Sequence, residues 1–206
     1  MRDCGLCLIG IAIVLCLAEC TNQERPRTVS EFPSFQRPSN ATARIEGQQF
    51  PFCLWYNPQQ WMIWNTPFGS GNDVIEWHLA LIEPKERVSI GRNTKISGSA
   101  ATHVYADVDV TENEFRSIIS NHLMKTYILD KIVDLQSDER IVNGIKVYAW
   151  NFTFKPVGQK AHTAFVYFYS DGYGSVSVMA HTLSEEWEHN KQTIIDLLNG
   201  FCLLRS

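Results

Sequence analysis

The chain has 206 residues, enough for one domain of ordinary size and too few for two large ones. Its 45% hydrophobic and 19% charged content supports a buried core and excludes a chain disordered throughout. A net charge of −4 excludes a dominant nucleic-acid role, which shows as a basic face, so no nucleic-acid partner is expected.

The first segment reads as a targeting sequence. Leu6 to Ala18 is an apolar run behind a short head bearing Arg2 and Asp3. A run of about thirteen residues suits the core of a signal peptide and falls short of the roughly twenty needed to span a bilayer. It closes on Leu17-Ala18-Glu19-Cys20. A Leu three places before a Cys resembles a bacterial lipoprotein signal, in which the Cys becomes the lipid-bearing first residue. Glu19 stands where that signal has a small residue. The expectation is a signal peptide over 1–19 and lipid attachment at Cys20, with ordinary secretion and an uncleaved anchor as alternatives. Cleavage there removes Cys4, Cys7 and Cys16, and acylation occupies Cys20. Cys53 and Cys202 then remain as an even pair. An oxidising compartment permits a bridge between them; two buried free thiols are the alternative.

Residues 20–47 are poor in hydrophobes and contain Pro26, Pro33 and Pro38, which predicts an extended spacer after the lipid-bearing Cys. The domain proper is expected over 48–206. Phe50 to Tyr56 reads as a strand ending at the Asn57-Pro58 turn, and Trp61 to Trp64 as a second short strand. Gly69-Ser70-Gly71-Asn72 reads as a loop, Val74 to Ile82 as a strand stopped before Pro84, and Arg92 to Ser99 as loop. Ala101 to Val110 alternates as a strand, with Val104, Ala106, Val108 and Val110 on one face. Thr111-Glu112-Asn113-Glu114 is a capping box, which predicts a helix carrying Phe115, Ile118, Ile119, His122 and Leu123 and ending near Tyr127. Asn143-Gly144 and Asp171-Gly172 predict two tight hairpins, joining 131–142 to 145–154 and 164–169 to 174–181. A final helix is expected from about Ser184 to Leu203, burying Trp187, Ile194, Leu198 and Phe201.

The strand from Ile145 to Phe154 is apolar on both faces. Ile145, Val147 and Ala149 lie on one side, with Tyr148, Trp150, Phe152 and Phe154 on the other. Such a strand needs cover on both sides. The inferred class is α+β: an α/β/α sandwich with a central, mostly antiparallel sheet and helices on both faces. At this point the layout resembles the PsbP-like family, which includes bacterial envelope lipoproteins of the DcrB type. The stretch from Phe50 through Pro51 and Pro58 to Trp61 is similar to that family's opening strand and turn. The stretch from Phe165 to Phe201 is similar to its closing hairpin and last helix. The resemblance implies a small, usually non-enzymatic accessory, assembly or binding domain, and it brings no catalytic residues.

A search for chemistry finds no phosphate loop, no His-Glu-x-x-His and no nucleophile elbow. The six histidines have no short metal-ligand spacing, so no metal, cofactor or catalytic residue is assigned. His181 and His189 flank the start of the last helix, and separate surface or cap positions are the favoured reading. Asp107 and Asp109 share a strand face, read as solvated rather than cation-binding. The aromatics Trp55, Tyr56, Trp61, Trp64 and Trp77 are dense, and most belong to the core in a sheet covered on both sides. Trp61 and Trp64, following a proline turn at an edge, are the candidate binding surface. The expected function is a non-enzymatic, membrane-tethered accessory lipoprotein of the bacterial cell envelope, facing the periplasm or the exterior and presenting a surface to an envelope protein. The alternative is a small-ligand or lipid-binding envelope protein with an aromatic-lined cleft between sheet and helix.

Overall fold

The computed structural model describes residues 36–204, apart from 66–67, 71–72, 85–94, 107–110, 143–144 and 171–173. The targeting segment with Cys20, the first part of the spacer, both hairpin dipeptides, and Asp107 and Asp109 lie outside the described residues.

Eleven strands and two helices follow in order among the described residues: β1 (Ala43–Glu46), β2 (Phe52–Tyr56), β3 (Trp61–Asn65), β4 (Phe68–Ser70), β5 (Asp73–Ile82), β6 (Ile96–Ala106), α1 (Glu112–Thr126), β7 (Leu129–Val142), β8 (Ile145–Pro156), β9 (His162–Ser170), β10 (Gly174–Leu183), α2 (Trp187–Asn199) and β11 (Phe201–Leu203). A 3-10 turn at Ser184–Glu186 leads into α2. The main sheet runs β3-β5-β6-β10-β9-β8-β7, with β4 paired to β5, and a small sheet runs β1-β2-β11. All these pairings are antiparallel. No helix among the described residues is long and apolar enough to cross a membrane.

The two-faced alternation of β8 sets the layers. Val147 and Ala149 join one core with Leu79, Val178, Ile194 and Leu198, so α2 and the small sheet cover that face. Tyr148, Trp150, Phe152 and Phe154 join a second core with Phe115, Ile119 and Leu123 of α1. The architecture is the expected α+β sandwich with a helix on each face. α1 starts where the sequence places it: the Thr111 side chain accepts the Glu114 amide, and the Glu114 carboxylate accepts the Thr111 amide at 2.7 Å.

Four expectations need correction. Gly69 and Ser70 are not loop: they belong to β4 and pair with Val74 and Asp73. The spacer does not extend to 47: Ala43–Glu46 pairs with β2, and Ala41 and Ile45 are buried. Residues 96–99 are strand and not loop, because the small side chains of Ser97, Gly98 and Ser99 fit between β5 and β10. The last helix ends at Asn199. Gly200 packs so tightly on β2 that an added Cβ would lie 2.0 Å from the Trp55 carbonyl oxygen. The chain then turns, and Phe201–Leu203 pairs with Leu54, Cys53 and Phe52. Phe201 is buried as expected, but from a strand, stacked on Tyr169 with ring centroids 3.8 Å apart.

Glu76 fastens the small sheet to the large one. It is fully buried at an irregularity in β5. Its two oxygens accept the amides of Gln48 and Gln49 at 2.7 and 2.6 Å, which satisfies the carboxylate and pins the β1–β2 connection.

Candidate binding surface

Pairing Trp61 with Leu81 turns its ring into the core shared with α2, and the residue is only 2% exposed. The preceding turn is locked on the same side. The Trp61 amide donates to the Asn57 carbonyl at 2.9 Å, and the Gln60 side chain donates to Thr193 Oγ1 of α2 at 3.2 Å. Trp61 therefore cannot contribute to a docking surface, which corrects that half of the sequence assignment. Trp64 lies at the irregularity between Ile63 and Asn65, where β3 departs from regular pairing with β5. It is 52% exposed, beside Ile63 at 38%. Pairing separates the two tryptophans: Trp61 is held in regular register against Leu81, and Trp64 falls where the register shifts, which no local sequence signal announces.

The other aromatics of that stretch are engaged. The Arg37 guanidinium stacks 3.7 Å above the Trp55 ring, and Arg44 lies 5.4 Å from it. Trp77 Nε1 donates to the Glu46 carbonyl at 2.7 Å. A small cavity lined by Tyr56, Asn57, Gln60, Trp61 and Thr193 has about 10 Å³ of room, enough for roughly one water.

The face of the main sheet that α1 covers collects histidines that no spacing in the sequence groups. The β5–β6 register sets His78 diagonally across from Ser99, with His78 Nε2 and Ser99 Oγ 2.6 Å apart. On β6, His103 packs edge-on against His122 of α1, centroids 4.0 Å apart. At the far end of the row, His181 Nδ1 is 3.3 Å from His162 Nδ1. His181 thus meets His162 and not His189, which is exposed. Burial, and then the neighbouring charge of His103, lower the pKa of His78. Burial lowers that of His162. Burial, followed by His162 and His78, takes His181 down to about 3, although that residue keeps some exposed surface. These rings are neutral at neutral pH.

A neutral His beside a Ser hydroxyl is the beginning of a nucleophile and base pair. Acyl transfer also needs donors aimed at a developing oxyanion. Here Ser99 sits between β5 and β10, paired with Ala80 on one side and His181 on the other, so the nearby strand amides are committed to the ladder. Among the described residues no three His, Cys, Asp or Glu side chains could hold a metal together. The arrangement offers hydrogen bonds and an aromatic contact.

Cys53 and Cys202 face each other across β2 and β11 and form a disulfide, Cα atoms 5.0 Å apart. The bridge ties the last strand to β2 of the small sheet.

No family model matches the sequence, and no characterised protein matches it by sequence. Solved structures do match in fold. Cyanobacterial PsbP (CyanoP) from Synechocystis sp. PCC 6803 superposes with a TM-score of 0.56 at 10% identity, covering 78% of this chain and 91% of its own. The Ran-binding protein Mog1p of Saccharomyces cerevisiae superposes with a TM-score of 0.51 at 11% identity, covering 79% and 95%. The fold is PsbP-like.

Proposed function

We propose that this PsbP-like chain is a lipid-anchored accessory protein of a bacterial cell envelope, tethered through Cys20, which acts by contact with a protein partner and not by turnover. The observation that carries this reading is Trp64. It is a half-exposed tryptophan on a short edge strand, between Ile63 and Asn65, and Asn65 pairs with His78, whose ring meets the Ser99 hydroxyl. A large amphipathic ring with nearby hydrogen-bonding groups is the composition of a protein-binding hot spot. The contact role is also supported by what fills the space under α1. Phe115 packs there against Tyr148, Trp150 and Phe168, with ring centroids 4.9 to 6.0 Å apart, so aromatic side chains fill that point between helix and sheet. A contact role fits the company of the fold, since Mog1p is named for binding another protein.

Site-specific photocrosslinking in intact cells tests the reading. A photoreactive residue at position 64 gives one reproducible protein adduct, and the same residue at exposed Ile141, far along β7, does not. Equal or absent adducts at both positions contradict it.

A further inference from the structure

Two turns meet at one corner of the sandwich. α1 closes on Tyr127 in an extended conformation, and Ile128 follows, 82% exposed. After β8, the Gln159 amide donates to the Pro156 carbonyl at 3.1 Å, and Gly158 holds a φ of +72°, a region that favours glycine. That turn presents Val157 at 58% exposure. The Val157 amide donates to the Ile128 carbonyl at 2.7 Å, which locks the two turns together. Met124, four residues before Ile128, is 56% exposed. Single exposed aliphatics are ordinary, but here Ile128 and Val157 are held together by a hydrogen bond, with Met124 in the last turn of the helix that leads into them.

The charge around the patch is selective. Segments 124–131 and 155–160 contain Lys125, Lys131, Lys155 and Lys160 against Asp130 alone, in a chain of net charge −4. Lys155 lies 3.9 Å from Asp130, and Lys160 is bound by Glu185 at 2.6 Å from across the corner. An aliphatic tip flanked in sequence by Lys131, Lys155 and Lys160 matches the chemistry of an anionic bilayer interface.

The chain's own connectivity aims this corner. β1 begins at Ala43 opposite Tyr56, just before the turn into β3. Trp61 pairs with Leu81, Leu81 with Gly98 and Gly98 with Thr182. Thr182 pairs with Thr163, Thr163 with Thr153 and Thr153 with Val133, three and four residues short of Pro156 and Leu129, which pair at the corner itself. The point where the preceding 35 residues join therefore lies at the same end of the main sheet as the corner. The main sheet is about 30 Å wide at roughly 4.8 Å per strand. The stretch from Cys20 to Gln36 can extend to about 50 Å, so a lipid at Cys20 lets this end reach the bilayer.

We propose that Met124, Ile128 and Val157 form a second, non-covalent membrane contact, entering the headgroup layer of an anionic bilayer while the lysines meet lipid phosphates. This rests on the lipid-anchor reading and orients the domain that reading tethers.

The test uses mature, Cys20-acylated chain reconstituted in vesicles of phosphatidylglycerol and phosphatidylethanolamine. It carries Ile128→Cys or, as control, Ile141→Cys, each labelled with an environment-sensitive fluorophore. The proposal expects a blue shift and quenching by shallow nitroxide lipids at position 128, none at 141, and loss of the signal when Lys131→Glu and Lys155→Glu are added. A chain that floats with the vesicles but is unquenched at 128, or equally quenched at 141, overturns the corner and leaves the anchor standing. A chain without acyl mass on Cys20 overturns the anchor. Sedimentation of that chain with the same vesicles then decides the corner. Salt-sensitive binding weakened about tenfold by Ile128→Asp supports it, and no binding overturns it.

Discussion

Acidification should unfold this domain through its histidine face, and His181 should carry the largest single share. In the folded state its pKa is lowered from 6.5 to about 3, by burial first and then by His162 and His78. A group whose folded pKa is depressed binds fewer protons folded than unfolded below the unfolded pKa. Stability is therefore full above about pH 7 and falls as the pH drops through 6.5 towards 3. Between about pH 7.5 and about pH 5, a shift of that size removes about 2 kcal/mol. His78 and His162, whose pKa values are also lowered, add losses of the same sign. The assay is urea unfolding followed by tryptophan fluorescence at both pH values, for the native chain and for His181→Gln with the disulfide intact. The native chain should lose about 2 kcal/mol more than the variant over this interval. Equal losses, or a native chain more stable at the acidic pH, would refute a neutral, enclosed His181.

The two edge tryptophans should separate cleanly. Trp61→Ala should cost about 3–5 kcal/mol in denaturant unfolding, because it empties a buried site in the core, whereas Trp64→Ala should change stability by less than about 0.5 kcal/mol and abolish the adduct formed from a photoreactive residue placed at neighbouring Ile63. Replacing both Cys53 and Cys202 by Ser should lower stability by about 4–5 kcal/mol on the chain-entropy account, given the separation of 149 residues; a Tm unchanged by reduction would contradict this. Glu76→Ala strands the Gln48 and Gln49 amides and should cost about 2–4 kcal/mol, with hydrogen exchange at those two amides rising first.

Local signals were readable in the sequence where one element decides its own structure. Thr111 and Glu114 announce the start of α1 because a capping box is complete within four residues. The double apolar alternation of β8 requires cover on both faces, which by itself implies the sandwich. Long-range contacts were not readable. Phe201 falls at helical spacing from Ile194 and Leu198, yet the close approach of Gly200 to Trp55 ends the helix and hands Phe201 to a strand. Ala43–Glu46 is too short and too polar to declare itself as a strand; β2 supplies its partner. His78, His103, His162 and His181 sit on four different strands, and only the sheet order and register bring them to one face. Of the two candidate tryptophans, pairing with Leu81 decides which one is lost to the core.

The central claim is a lipid tether carrying a contact domain, and intact mass spectrometry of the mature chain from bacterial membranes tests it most directly. The account predicts a chain beginning at Cys20, bearing acyl groups on that residue and two fewer hydrogens at Cys53 and Cys202. A chain still carrying residues 1–19, or one recovered without lipid from the soluble fraction, would contradict it.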